Sequence, residues 1–224
     1  AVAAYDRHDS WHRDSDLDDH AFAKLRKQNP KIIALDCTVV KQAKIKNGKL
    51  IGKLRIAPRG FRDRSLKATW HSTSPTVESI SVRISELLGM QLGLESWCFD
   101  ISDAFFSGEE LGEDEYIYIK IPKEIDPNSP WRRLKREVPG CKGASSSWFR
   151  TFTKKLVSYG WEPLTTDQAL FVKRRENGSI CGILPVHVDD GKLRADESTA
   201  KELFAKLRAD PMIELSTVEK QEKG

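Results

Sequence analysis

The sequence predicts an α+β fold, a sheet with helices packed on one face, and three observations carry that expectation. Hairpin signals and helical stripes follow one another without strict β-α alternation, which argues against a doubly wound fold. Asn47-Gly48 joins two lysine-laden apolar runs and supplies the positive φ angles a type I′ hairpin turn requires. A second apolar run, Ile183-Leu184-Pro185-Val186, climbs to Asp189-Asp190-Gly191 and then resumes, which reads as strand, tight turn, strand.

Residues 1–19 carry Asp14, Asp16, Asp18 and Asp19 close together without hydrophobic period, so they read as a flexible acidic lead-in. Phe22 and Leu25 mark a short amphipathic helix from Asp19 to Gln28, ended before Pro30. The Asn47-Gly48 hairpin occupies Ile33 to Ile56, and its second strand runs into Lys53-Leu54-Arg55-Ile56-Ala57-Pro58-Arg59-Gly60-Phe61, with Lys53 and Arg55 on one face. Ser72-Thr73-Ser74-Pro75-Thr76 opens a helix whose stripe of Val77, Ile80, Ile84, Leu87, Leu88 and Leu92 is expected to face the core.

A strand from Ser96 to Ile101 delivers Asp100 near its end, and Tyr116 to Ile121 alternates as another strand that Pro122 terminates. Gly140-Cys141-Lys142-Gly143 is a tight connection into a helix striped by Trp148, Phe149, Phe152, Leu156 and Tyr159. A strand at Leu170 to Lys173 and a turn at Asn177-Gly178 lead back to the aspartate hairpin. Asp196 to Leu207 reads as a helix with Leu203, Phe204 and Leu207 inward, and Met212 to Leu215 as a last strand.

With 224 residues, 39% of them hydrophobic, the chain can form one large domain or two smaller subdomains with a real core. No run reaches the roughly 18 apolar residues of a membrane span, and nothing resembles a secretion signal. Cys37, Cys98, Cys141 and Cys181 show no Cys-x-x-Cys pairing, which points to reduced thiols in an intracellular protein. The net charge of +4 hides a segregation, acidic in the first twenty residues and basic from Lys41 to Lys67 and from Arg132 to Arg136. Such segregation permits a local positive field suited to a phosphate backbone.

Asp100, Asp189 and Asp190 end or interrupt strongly apolar strands. An Asp-Gly turn is one reading of the hairpin, since such turns are common. If the strands are neighbours in one sheet, three carboxylates meet at one edge and repel. A hard divalent cation, magnesium or manganese, relieves that repulsion, and two such ions suit in-line phosphoryl displacement.

The ordered segments resemble the reverse transcriptases, and among them the polymerases of copia-type long-terminal-repeat retrotransposons, from about Val39 to Leu215. Lys53 to Phe61 is similar to the family's fingers strand, and Ser74-Pro75-Thr76-Val77 with Val82-Arg83 to the start of the following helix. Phe99-Asp100-Ile101-Ser102-Asp103-Ala104-Phe105-Phe106-Ser107-Gly108 resembles the first catalytic motif of the palm, and Gly140-Cys141-Lys142 with Trp148-Phe149 the template-side loop and helix. Asp167 with Leu170-Phe171 resembles the strand before the active-site hairpin. His187-Val188-Asp189-Asp190 stands where the family has an aromatic residue, a variable one and two aspartates.

The resemblance implies a right-hand polymerase fingers-and-palm fold with an antiparallel palm sheet, with fingers over 20–95, palm over 96–224 and the two able to interleave; the sequence shows no segment expected to form a thumb. It implies two Mg2+ ions, with Mn2+ as an alternative, held by Asp100 and Asp189 with Asp190 in support. Arg55 would contact the incoming triphosphate, Phe105 would lie beneath the sugar and select deoxynucleotides, and Gly140 would allow close approach of nucleotide or template. Lys142 would meet template phosphate and His187 the primer. The implied activity is RNA-directed DNA polymerisation, and the implied partners are an RNA or DNA template with primer, dNTPs and other parts of a retrotransposon polyprotein, with no membrane. The implied location is the cytoplasm, in a virus-like particle. His187, Ser145-Ser146-Ser147 and the Gly191-Lys192-Leu193-Arg194 strand depart from the family pattern. A non-catalytic nucleic-acid-binding module and a metal-dependent nuclease are the rival readings.

Overall fold

The structure, a computed structural model, describes residues 2–12, 16–46, 48–65, 73–128 and 130–221, the side chains of 44 and 46 excepted. Asn47 and Ser72, named above as turn and helix-start residues, lie outside the described residues. The chain forms two compact units, one of residues 1–73 with 108–147, the other of residues 74–107 with 148–224. The helix expected to belong with the first hairpin therefore belongs to the second unit.

In the first unit, β1 (Ile33–Lys46) and β2 (Lys49–Pro58) pair antiparallel from Cys37 opposite Pro58 out to Lys46 opposite Lys49. Gly48, with φ +72°, sits at the expected turn. Strand β4 (Ile117–Lys120) runs parallel to the start of β1, and β5 (Trp131–Arg133) runs antiparallel to β4, so this sheet is mixed, in the order β2-β1-β4-β5. Leu35, Ile119, Ile121 and Leu134 are buried in this unit, whereas the far half of the hairpin exposes Ile45, Leu50, Ile51 and Leu54.

The first residues are not a free lead-in. Helix α1 (Val2–Arg7) buries Tyr5, which stacks on Trp11 and donates its hydroxyl to the Ile56 carbonyl at 2.9 Å. Two aromatic anchors suffice here although no hydrophobic period announces them. Helix α2 (Asp19–Gln28) is capped by the Asp18 carboxylate, which accepts from the Ala21 N–H, and its Phe22 stacks on Trp131 at 3.7 Å.

The second unit holds a six-stranded antiparallel sheet in the order β10-β3-β9-β8-β7-β6. Its strands are β3 (Glu95–Ser102), β6 (Glu162–Pro163), β7 (Leu170–Arg174), β8 (Ile180–His187), β9 (Asp190–Ala195) and β10 (Glu214–Gln221). Alternation along β3 and β9 sends Trp97, Phe99, Ile101, Leu193 and Ala195 to one face. There Trp148, Phe152 and Leu156 of α4 (Ala144–Ser158) and Leu203, Phe204 and Leu207 of α5 (Glu197–Ala209) complete a core.

Helix α3 (Ser79–Gln91) corrects two expectations. It lies on the opposite face of the sheet, so helices cover both faces rather than one: Glu86 of α3 pairs with Lys192 and Arg194, which alternate with the core residues of β9. It also turns small residues inward. Ser85 and Gly89 are buried, with the Arg194 side chain against Gly89, while Ile80, Ile84, Leu87 and Met90 are exposed. The physical reason is the polar character of the covered strand, because two cations standing on β9 require a carboxylate and room for a long guanidinium. Of the expected stripe, Val77 and Leu88 do pack, against Leu94, Leu170 and Ile183. The helix start is held from outside the helix, by the Asp167 carboxylate accepting the Glu78 N–H at 3.0 Å.

Arg194 donates Nε and Nη2 to Glu86 Oε2, at 3.2 and 2.6 Å, and its side chain is only 14% exposed. Burial pushes the Glu86 carboxyl up, but hydrogen bonds from Arg194 and Lys192 outweigh it and hold the group below the ordinary range. Glu86→Gln is expected to cost about 1–3 kcal/mol in urea unfolding at neutral pH, between the values for exposed and buried pairs. A depressed carboxyl stabilises the fold above its unfolded pKa of about 4.3 and stops doing so as pH falls through the folded value. The difference between the two proteins should therefore shrink on acidification below about pH 4.

Candidate active site

Strand β3 brings Asp100 to the sheet face opposite the aromatic core, since Phe99 and Ile101 on either side are buried in that core. The neighbouring β8–β9 hairpin turns earlier than an Asp-Gly signal suggests. Strand β8 ends at His187, Val188 and Asp189 form the turn, and Asp190-Gly191 already belong to β9. Gly191 is where the register is enforced: a Cβ there would lie 2.2 Å from the Phe99 ring, so the ring packs directly on the backbone of β9. The glycine is thus a packing requirement of the hairpin's second arm, and Lys192 and Arg194 both pair with the Glu86 carboxylate.

This register sets Asp100 directly opposite Asp190. The two carboxyl groups stand within hydrogen-bonding reach, a bond that needs a proton on one of them, and Asp189 is close enough for its charge to act on Asp190. Lost solvation, then the charges of Asp189 and Asp100 and the bond to Asp100, push the Asp190 carboxyl above the ordinary range, and His187 opposes the shift. From the other side, the Ser216 hydroxyl at a bulge in β10 donates to the Asp100 carboxylate. The turn is held by its backbone. Val188 has φ +59°, its carbonyl accepts from the Trp148 indole N–H at 2.8 Å, and the Asp189 carbonyl accepts from the Ile101 N–H at 2.9 Å.

Asp100 and Asp189 thus each act on Asp190 at one edge of one sheet, and the repulsion among such carboxylates is the condition a hard divalent cation relieves, although the oxygens of the three do not form a group within 4.8 Å of one another in this structure. Phe105 follows five residues after Asp100 in a 3-10 turn (Ala104–Ser107) and is half-buried against the core. His187, at the end of β8, is exposed.

The other expected site residues belong to the first unit. Arg55 is exposed on β2, opposite Val40. Gly140 has φ +107°, and a Cβ on it would lie 2.5 Å from the Pro58 carbonyl oxygen. Its own carbonyl accepts the Gly60 N–H at 2.9 Å. Lys142 donates Nζ to the Asp63 carbonyl at 2.5 Å. Both therefore tie the 138–143 loop to the end of the β2 strand. Sequence reasoning did not reach Ser216, whose signal is a bulge that no residue pattern announces, nor the use of the Trp148 indole as a donor.

Residues 24–218 match the family described as reverse transcriptase (RNA-dependent DNA polymerase). The chain belongs to the reverse transcriptase family. Similar sequences include the retrovirus-related Pol polyprotein from transposon RE1 of Arabidopsis thaliana, 28% identical over 152 residues, covering 66% of this chain and 10% of that protein. The corresponding polyprotein from transposon RE2 of the same plant is 29% identical over 143 residues, 62% of this chain and 9% of that protein. These matches uphold the copia-type resemblance carried by the motifs, and this reverse transcriptase chain spans about a tenth of the length of those relatives. Among its described residues no helix is long and apolar enough to cross a membrane.

Proposed function

We propose that the chain is the fingers-and-palm part of a retrotransposon RNA-directed DNA polymerase, adding deoxynucleotides to a primer 3′-hydroxyl. The second unit is the palm and the first the fingers. The observation that carries this reading is the pairing of Asp100 with Asp190 beside Asp189, in a chain of this family.

Asp100, Asp189 and Asp190 would hold two Mg2+ ions, and Mn2+ fits the same oxygens. Bound there, such ions lower the pKa of a primer hydroxyl and offset charge on a transferred phosphoryl group. The chain's own contribution is orientation. The strand register fixes Asp100 and Asp190 face to face, and the Ser216 hydroxyl restrains the Asp100 carboxylate. Arg55 offers a planar guanidinium to triphosphate oxygens, and Phe105 a flat ring beneath the deoxyribose. Gly140 and Lys142 shape the template side, while His187 flanks the primer end.

The test incubates the full chain with a labelled primer on an RNA template, Mg2+ and dNTPs. The proposal expects a lengthened primer. A primer shortened in the absence of nucleotides would instead identify a nuclease, and duplex binding without either change a non-catalytic module. Phe105→Val, which keeps an apolar side chain against the core, is expected to narrow discrimination against ribonucleotides by about tenfold or more, read as the ratio of kcat/KM for dNTP and rNTP.

A further inference from the structure

We propose that Trp148 is a positioning residue for the aspartate hairpin: its indole N–H locks the Val188–Asp189 peptide in the orientation that aims Asp189 at the site. The inference rests on the polymerase reading and deepens it.

Val188 is the unusual residue. Among the described residues three non-glycines have positive φ, namely Asp9, Asp103 and Val188. Aspartate tolerates that region, whereas a β-branched residue there is an outlier. Such a conformation persists only where its surroundings over-determine it, and it concentrates at functional sites. Here both carbonyls of the two-residue turn are held, that of Val188 by the Trp148 indole at 2.8 Å and that of Asp189 by the Ile101 N–H at 2.9 Å.

The two partners are not equivalent. Ile101 donates from the strand that carries Asp100, so its bond is part of the sheet edge. Trp148 is a side chain from α4, 1% exposed and stacked on Phe152 at 5.0 Å between ring centroids. Its indole offers one donor and no acceptor, and that donor is aimed at the turn. Packing alone would be satisfied by any large apolar side chain; the N–H is what distinguishes tryptophan here. Relaxing φ at Val188 from its positive value would carry the Val188 carbonyl away from the indole and swing Asp189 with it. A fixed donor in a rigid core therefore opposes the rotation that valine's own preference favours.

Four forms of the full chain test this: wild type, Trp148→Phe, Val188→Gly and the double variant. Each is assayed for Mn2+ affinity by electron paramagnetic resonance and for primer extension against dNTP concentration. Trp148→Phe is expected to weaken Mn2+ binding about tenfold, the scale of lost support around metal ligands, and to lower kcat with little change in KM for dNTP. Glycine adopts the left-handed region freely, so in the Val188→Gly background the same change should cost no more than about threefold. Equal losses in both backgrounds, or no loss in either, would overturn the proposal. Should Trp148→Phe fold poorly, benzothienylalanine at position 148 keeps the ring shape and removes only the N–H, with the same outcomes expected. A wild type that binds Mn2+ but extends no primer would defeat the polymerase reading while leaving the coupling measurable in Mn2+ affinity.

Discussion

Asp100→Asn is expected to lower primer extension by at least about a thousandfold, since it removes one of the charges proposed to hold metal at this edge. Charge stabilisation by bound metal is worth several kcal/mol, and each 1.36 kcal/mol is about tenfold in rate. The substitution preserves shape, and an amide oxygen can still accept from the Ser216 hydroxyl that now reaches the Asp100 carboxylate. It also removes one of the negative charges that push the Asp190 carboxyl upward. The melting temperature in metal-free buffer should therefore not fall. Extension rates measured alongside thermal unfolding check both halves, and undiminished extension by a folded variant would take Asp100 out of the site.

Gly140→Ala is expected to destabilise the first unit by about 3 kcal/mol, adding the cost of a left-handed backbone to that of overpacking. At φ +107° the new Cβ would stand 2.5 Å from the Pro58 carbonyl oxygen and 3.0 Å from the Pro58 nitrogen, backbone atoms that cannot swing aside as a side chain would. A role confined to nucleotide contact would leave the urea midpoint where it was and raise KM alone. A midpoint that falls, read by the fluorescence of a unit containing Trp11 and Trp131, identifies the close backbone packing as the reason for glycine.

Much of the second unit was legible because its strands alternate cleanly. Phe99, Asp100 and Ile101 could be assigned faces from their order alone, and Leu203, Phe204 and Leu207 turn inward as their spacing predicts. The three aspartates were legible as a set because each interrupts an apolar run. Their pairing was not. Asp-Gly favours a turn at Asp190–Gly191, but the Phe99 ring demands a glycine opposite it in β9, and that long-range fit moves the turn back to Val188–Asp189.

Two other misreadings share one cause, that local pattern does not name the surface an element will meet. Helix α3 has an apolar stripe but meets Lys192 and Arg194, so Ser85 and Gly89 go inward instead. Residues 1–12 have no period at all, yet Tyr5 and Trp11 find partners in the first unit's sheet, the Ile56 carbonyl and Leu134. The likeness read from the motifs reached the family, which the family match upholds, where periodicity could not.

The central claim is that Asp100, Asp189 and Asp190 form one metal-holding edge. Anomalous scattering from crystals of the chain soaked in Mn2+ with a deoxynucleoside triphosphate tests it most directly. The account predicts density for Mn2+ roughly 2 Å from carboxylate oxygens of Asp100 and of the Asp189–Asp190 pair. Mn2+ bound only elsewhere, or an occupied crystal in which these carboxylates make no contact with metal, would contradict it.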